Sequence, residues 1–293
     1  MSFKHASVAA AALIVAVPAF AADLPNKKAP APVPVVSPWE FTVGGGVTTN
    51  YEFRGISQSS NGPGVTALGE IRYNFSDTWA GYVGMSGESI KLNPYVPNPS
   101  MELDVDGGVR GTFGNLTTDV GVWYYGYPGS QFSSVLPTNP SWYEGYAKAA
   151  YNITDWLNVG ANAYYTPSYI NTGATGTYTS GTFKITLPAN FSLSGEFGRQ
   201  FLGTEDLVHT NGGYPLTIKT GAKLPSYNTW NAGVSYAYNF ATVDLRYWGS
   251  DLSKANCSMI TGPSTSLTGT TSKYCGSAFV ASLNFALTNK DLK

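Results

Sequence analysis

The chain has 293 residues, a formal net charge of -1, 12% charged residues and a mean hydropathy of -0.10. Soluble domains carry roughly 25% charged residues, so an ordinary soluble surface is excluded, and so is a bundle of membrane helices, because Gly, Tyr, Ser, Thr and Asn fill the gap instead of long apolar runs. The near-zero balance of charge also leaves no basic surface on which a nucleic-acid partner would depend.

Residues 1–21 read as a cleaved secretory signal, with Lys4 in the positive n-region, an apolar run at 6–17 and Ala19-Phe20-Ala21 as the small-x-small cleavage site. The alternative, an uncleaved anchor, is disfavoured because that run is shorter than the ~20 residues needed for a span. Residues 22–38 form a Pro-rich periplasmic stretch whose alternate prolines favour an extended, solvated tether. A linker and a partner-binding segment both fit that composition.

From residue 39 a period of two takes over. In W-E-F-T-V-G-G-G-V-T-T-N-Y-E-F-R the odd positions from Trp39 to Phe53 are mostly apolar, while the even ones carry Glu40, Glu52 and Arg54. Successive side chains of a strand point to opposite faces, so such a segment separates hydrocarbon from water. The pattern recurs in twelve segments, at 39–53, 65–75, 79–90, 101–113, 116–127, 143–153, 157–165, 177–187, 191–202, 229–240, 242–249 and 277–287. Each approaches or exceeds the ~9–11 residues that cross a bilayer as a tilted strand.

The connections alternate, short at 76–78, 114–115, 154–155, 188–190 and near Ala241, and long at 55–64, 91–100, 128–142, 166–176, 203–228 and 250–276. This predicts an all-β fold for residues 39–293, a transmembrane up-and-down antiparallel β-barrel of about twelve strands with short periplasmic turns and long extracellular loops. A soluble β-sandwich has no reason to alternate its loop lengths.

Charge follows parity. On the inward face fall Glu40, Glu52, Glu70, Glu88, Glu102, Asp104, Asp106, Asp119, Glu144, Glu196 and Asp244, with Arg54, Arg72, Arg110, Lys148, Lys184 and Arg246. Only Arg199 takes the lipid parity, near an outer strand end where a cation costs ~0–1 kcal/mol. Lipid-facing aromatics form two belts, Trp39, Phe41, Tyr73, Phe75, Trp79, Phe113, Tyr151, Phe191, Tyr238, Phe240 and Phe285 by the turns, and Tyr51, Phe53, Tyr124, Tyr143, Tyr165, Phe201, Trp230, Tyr247 and Phe279 by the loops. Outer-membrane lipids are thus expected partners. The barrel assembly machinery is another, with Phe285 as the terminal aromatic even though the chain runs on to Lys293.

Twelve strands lie between the ~8 that fill their own interior and the ~16 that leave a wide channel, which predicts a narrow lumen for small hydrophilic solutes. Inward glycines such as Gly84, Gly121 and Gly198 either leave room in it or permit close strand curvature. Acidic residues outnumber basic ones there, giving a mild cation preference. Glu102, Asp104 and Asp106 share one file with Arg110 further along, and Glu144 and Lys148 share another, so these groups either set a transverse field or pair into a plug. Trp123, Tyr125, Trp142, Tyr146 and Trp248 are inward-facing rings suited to stacking on cyclic solutes, or to packing beneath the loops. Arg54, Ser57 and Gln58 are expected to fold over the mouth.

Cys257 and Cys275 are the two cysteines, and export favours a disulfide between them over free thiols. No metal or cofactor site is predicted. An outer-membrane lipid-modifying enzyme lacks its usual machinery here, because His209 is the one histidine after the signal and lies in a long loop, with no G-x-S-x-G or H-E-x-x-H motif. A structural or surface-binding barrel is the nearer alternative to a porin.

Several stretches together resemble the TorF porin family: Y-E-F-R-G-I-S-Q-S from Tyr51 to Ser59, A-A-D-L-P at 21–25, W-Y-Y-G-Y-P-G from Trp123, Y-Y-T-P-S from Tyr164 and Y-N-T-W-N-A-G from Tyr227. The likeness spans nearly all of the chain after the signal. It implies an outer-membrane barrel with porin activity and supplies no substrate.

Overall fold

Twelve long antiparallel strands close into one barrel in the computed structural model, which describes residues 37–92, 99–130, 139–206, 221–262, 270–289 and 291. They are β1 (Trp39–Thr48), β4 (Gly64–Asn74), β5 (Trp79–Ser89), β6 (Met101–Phe113), β7 (Leu116–Gly126) and β8 (Trp142–Asn152), then β9 (Leu157–Thr166), β10 (Gly176–Thr186), β11 (Phe191–Leu202), β12 (Tyr227–Tyr238), β13 (Ala241–Ser250) and β14 (Ala278–Thr288). Two short strands, β2 (Glu52–Phe53) and β3 (Ile56–Ser57), form a separate hairpin between β1 and β4. Neighbours in sequence are neighbours in the wall, and β1 pairs with β14 from Thr42↔Thr288 to Thr48↔Ser282, which removes the last free edge.

Eleven of the twelve expected strands lie within two residues of the observed bounds. The exception is the first: the expected strand 39–53 stops at Thr48, and the chain turns inward as the β2–β3 hairpin. The expected signal at 1–21, residues 22–36 of the Pro-rich stretch and His209 lie outside the described residues.

Alternation has a direct consequence for the surface. Val43, Val47, Val65, Ile71, Val83, Val105, Val120, Phe197, Val234 and Leu245 stand exposed on the outer face, far more contiguous apolar surface than a water-soluble protein tolerates. Every turn-side aromatic of the expected belt is exposed, with Trp39 packed edge-on to Tyr73 at 4.7 Å and Trp79 on Phe113 at 5.2 Å. Among the described residues no helix is long and apolar enough to cross a membrane. The hydrocarbon-facing wall is therefore built of strands, each paired to two neighbours in a closed ladder, as the lack of water in hydrocarbon requires.

Candidate functional site

The inward face carries the charge, as parity requires. Glu70, Glu88, Glu102, Asp104, Asp106, Arg110, Glu144, Asp244 and Arg246 are buried there, and Glu40, Arg72, Asp119, Lys148, Lys184 and Glu196 are half-buried. Arg199 stands alone on the outside near the loop end of β11, donating to Asn228 Oδ1 at 2.9 Å.

The loop end of the lumen is organised by the β2–β3 hairpin. Its tip is Arg54-Gly55, with φ of 48° and 74°, the pair of left-handed residues that a tight two-residue hairpin demands. Gly55 suits this position, and a Cβ there would lie 2.7 Å from Thr229 Oγ1. Arg54 does not suit it, so its contacts must hold the conformation. They are extensive: its guanidinium donates to both carboxylate oxygens of Glu144 at 2.9 and 2.7 Å and to Gln200 Oε1 at 2.9 Å, and it lies over the rings of Phe53, Tyr164 and Tyr178. Tyr125 Oη donates to Glu144 at 3.1 Å. Burial works against the guanidinium charge, but the Glu144 carboxylate overrides it and holds Arg54 firmly protonated.

Asn50 holds the base of the hairpin. Its Oδ1 accepts from Ser57 Oγ at 2.6 Å, and its amide donates to Glu52 Oε1 at 2.6 Å. Burial nevertheless pushes the Glu52 carboxyl up to about 8, with the Asn50 bond pulling the other way. Ser57 N donates to Tyr274 O at 2.7 Å, and Gln58 O accepts from Lys91 N at 2.8 Å. Ile56 bridges Cys275, whose disulfide to Cys257 ties helix α1 (Lys254–Thr261) to residues 270–278. The disulfide therefore braces the very segment against which the hairpin pairs.

These contacts correct two expectations. Tyr51 and Phe53 do not join the outer aromatic belt; both pack on the buried cluster inside the barrel, and Tyr51 Oη donates to Glu102 Oε1 at 2.8 Å. Their parity was read along a strand that has already ended. The inward glycines also leave less room than expected: a Cβ on Gly198 would meet the Tyr178 ring at 2.5 Å, so this glycine seats a neighbouring phenol.

Further down the wall the charges pair with neighbours. Arg110 bonds Glu70 at 3.2 Å and Asp119 at 3.1 Å and stacks on Tyr82, whose hydroxyl reaches Asp119 and Tyr146. Arg246 bonds Asp244 at 3.0 Å, Asn231 at 2.7 Å and Ser194 at 2.8 Å. Arg72 pairs with Glu40 at the turn end, Lys148 lies over Tyr146, and Glu196 accepts from Tyr178 at 3.0 Å. Lys184 sits half-buried on the inner face of β10.

Trp123, Tyr125, Trp142 and Tyr146 lie in one buried cluster with Ile56, and Tyr125 stacks on Trp142 at 4.4 Å. In this arrangement their faces are covered by one another and by the loops. Trp248 instead lines a cavity of about 70 Å³ beneath the hairpin, together with Glu52, Glu88, Asp244 and Arg246. Gln200 and Asn50, which no charge marked, and Tyr227, which only opens the Y-N-T-W-N-A-G stretch, are as central as the predicted residues; inward parity signalled Gln200 and Tyr227, while Asn50 lies past the end of β1.

Taken together, an apolar exterior and a charged, hydrogen-bonded interior define a transmembrane β-barrel. The chain belongs to the family described as "Bacterial protein of unknown function (Gcw_chp)", whose model matches residues 34–271. Comparison with curated proteins returns no match. Among solved structures, the chain is similar to the NanC porin (14% identity, 84% of this chain and 100% of that one, TM-score 0.48) and the KdgM porin (10%, 83% and 98%, 0.47). It is also similar to an outer-membrane channel from Pseudomonas putida F1 (10% identity, 87% and 96%, 0.47).

Proposed function

We propose that the protein is an outer-membrane porin through which small hydrophilic solutes diffuse, with a mild preference for cations. The observation that carries this reading is the closed wall itself, apolar outside and lined within by charged side chains of which Glu40, Arg72, Asp119, Lys148, Lys184 and Glu196 remain only half-buried, as a wet lumen requires. The excess of acidic over basic residues on that face supports the cation preference. The resemblance to the TorF porin family agrees with it, the chain's outer aromatic belts suit membrane lipids, and export would deliver it to the assembly machinery. None of the interior groups requires a catalytic role.

A second reading has its own support. The β2–β3 hairpin fills the loop end and buries Arg54 against Glu144, an arrangement suited to a closed barrel that serves as a structural or surface-binding element. Planar-bilayer recording in a salt gradient separates the two. Discrete conductance with a cation-sided reversal potential supports the porin; its absence from well-folded protein supports the closed barrel.

A further inference from the structure

Three buried carboxylates stand together where β5 meets β6 at the loop end. Glu88 and Glu102 are directly opposed across the two strands, and Asp104 follows on the same face, with one ligand oxygen from each lying within 4.8 Å of the others. Like charges directly opposite each other weaken a sheet, and buried carboxylates without partners are costlier still. Hydrogen bonds from Tyr51 and Tyr127 reach Glu102 but leave the other two carboxylates unrelieved. Asp104 is 1% exposed and neither of its oxygens has a partner; Trp123 Nε1 lies nearby, outside bonding geometry, and is itself unsatisfied. Glu88 Oε2 is likewise without a donor.

Among the described residues no salt bridge reaches any of the three. Arg54 is committed to Glu144, Arg110 to Glu70 and Asp119, Arg246 to Asp244, and Arg72 to Glu40. The charged groups gathered within 4.8 Å of Asp104 are Glu102 and Glu88, both of its own sign. Glu88 also lines the cavity beneath the hairpin, and two further oxygens without partners, Glu52 Oε2 and Thr66 Oγ1, belong to residues lining the same cavity.

We propose that Glu88, Glu102 and Asp104 form a site for one hard divalent cation of the calcium class, entered through this cavity. Three carboxylates offer up to six oxygens, mono- or bidentate, and calcium accepts six to eight oxygen ligands in irregular geometry, so water completes the shell. Tyr51 Oη, bonded to Glu102, ties the site to the hairpin, and cation binding therefore stiffens the hairpin's docking. The site does not depend on whether the lumen conducts.

The test is calorimetric titration of calcium chloride into the chelator-treated, detergent-solubilised full chain, paired with the temperature at which the barrel loses its folded mobility on an unboiled gel. The wild type is expected to bind about one equivalent saturably, in keeping with a single three-carboxylate site, and to melt at a higher temperature with calcium. Asp104→Asn and Glu88→Gln should each weaken binding at least tenfold and remove the calcium-dependent rise, whereas Glu40→Gln at the opposite end should change neither. The amide variants relieve repulsion, so they should still fold without calcium. Absence of saturable binding in the wild type, or unchanged affinity in both amide variants, would overturn the site and assign the balancing charge to protons.

Discussion

At the short-turn end, inward-facing side chains such as Glu40, Arg72, Asn152 and Thr186 are half-buried or exposed, while at the loop end Glu144, Gln200, Asp104 and Tyr227 are sealed. Both ends are lined by the same wall with the same alternation. Among the described residues the difference is the β2–β3 hairpin, which crosses the lumen at one end and has no counterpart at the other. If the lumen conducts as proposed, access to it at the loop end is expected to depend on this short inserted segment as well as on the wall.

The sharpest way to break this asymmetry is to remove the partner that holds the tip. Arg54→Met leaves Glu144 buried and unpaired, a loss of ~3–5 kcal/mol for a buried ion pair, so the hairpin should undock and single-channel conductance should rise severalfold. Gly55→Val acts at the same place through the backbone, forcing a branched residue into φ 74° and against Thr229; the same rise is expected, and equal current would show that the tip tolerates displacement.

A smaller effect is expected from the brace. Cys257→Ser with Cys275→Ser frees the 18-residue connection, worth ~3 kcal/mol in the chain-entropy model, and should lower the temperature at which the folded mobility is lost while adding flicker to the current. An unchanged gel transition would mean that the loop is held by its packing alone.

Glu52 supplies a pH dependence. Its carboxyl is raised to about 8 in the docked hairpin against an ordinary value of 4.5, so the docked state holds a proton that the undocked state releases. Docking is therefore favoured at low pH and weakens as pH rises between those two values, and conductance should increase over that window. Glu52→Gln should flatten the curve, whereas a curve of unchanged shape would assign the titration elsewhere. The smallest effect belongs to the outside: Arg199→Leu should shift stability by no more than ~1 kcal/mol, because lipid-face cations near the interface cost little.

Most of the wall was legible because lipid on one side and water on the other impose a period of two on every strand, and loop lengths impose direction. Trp39 to Thr48 illustrate this well. The hairpin was less legible because the alternation runs on unbroken through Tyr51 and Phe53 after the strand has ended. Two signals marked the break: fifteen residues exceed the ~9–11 that a crossing needs, and Gly55 is a turn residue. Arg54 was expected at the mouth, but its partner Glu144, ninety residues away, depends on the barrel's register, which no local pattern encodes. The same holds for the opposition of Glu88 and Glu102, visible only once β5 and β6 are paired.

The hairpin's control of the lumen is measured by replacing residues 49–62 with a short Gly-Ser connection and comparing single-channel conductance with the wild type, using gel mobility to establish that both barrels are closed. The shortened protein should show a larger unitary step and a weaker pH dependence. Equal steps in the two proteins would contradict that control, since the hairpin would then not govern passage through the lumen.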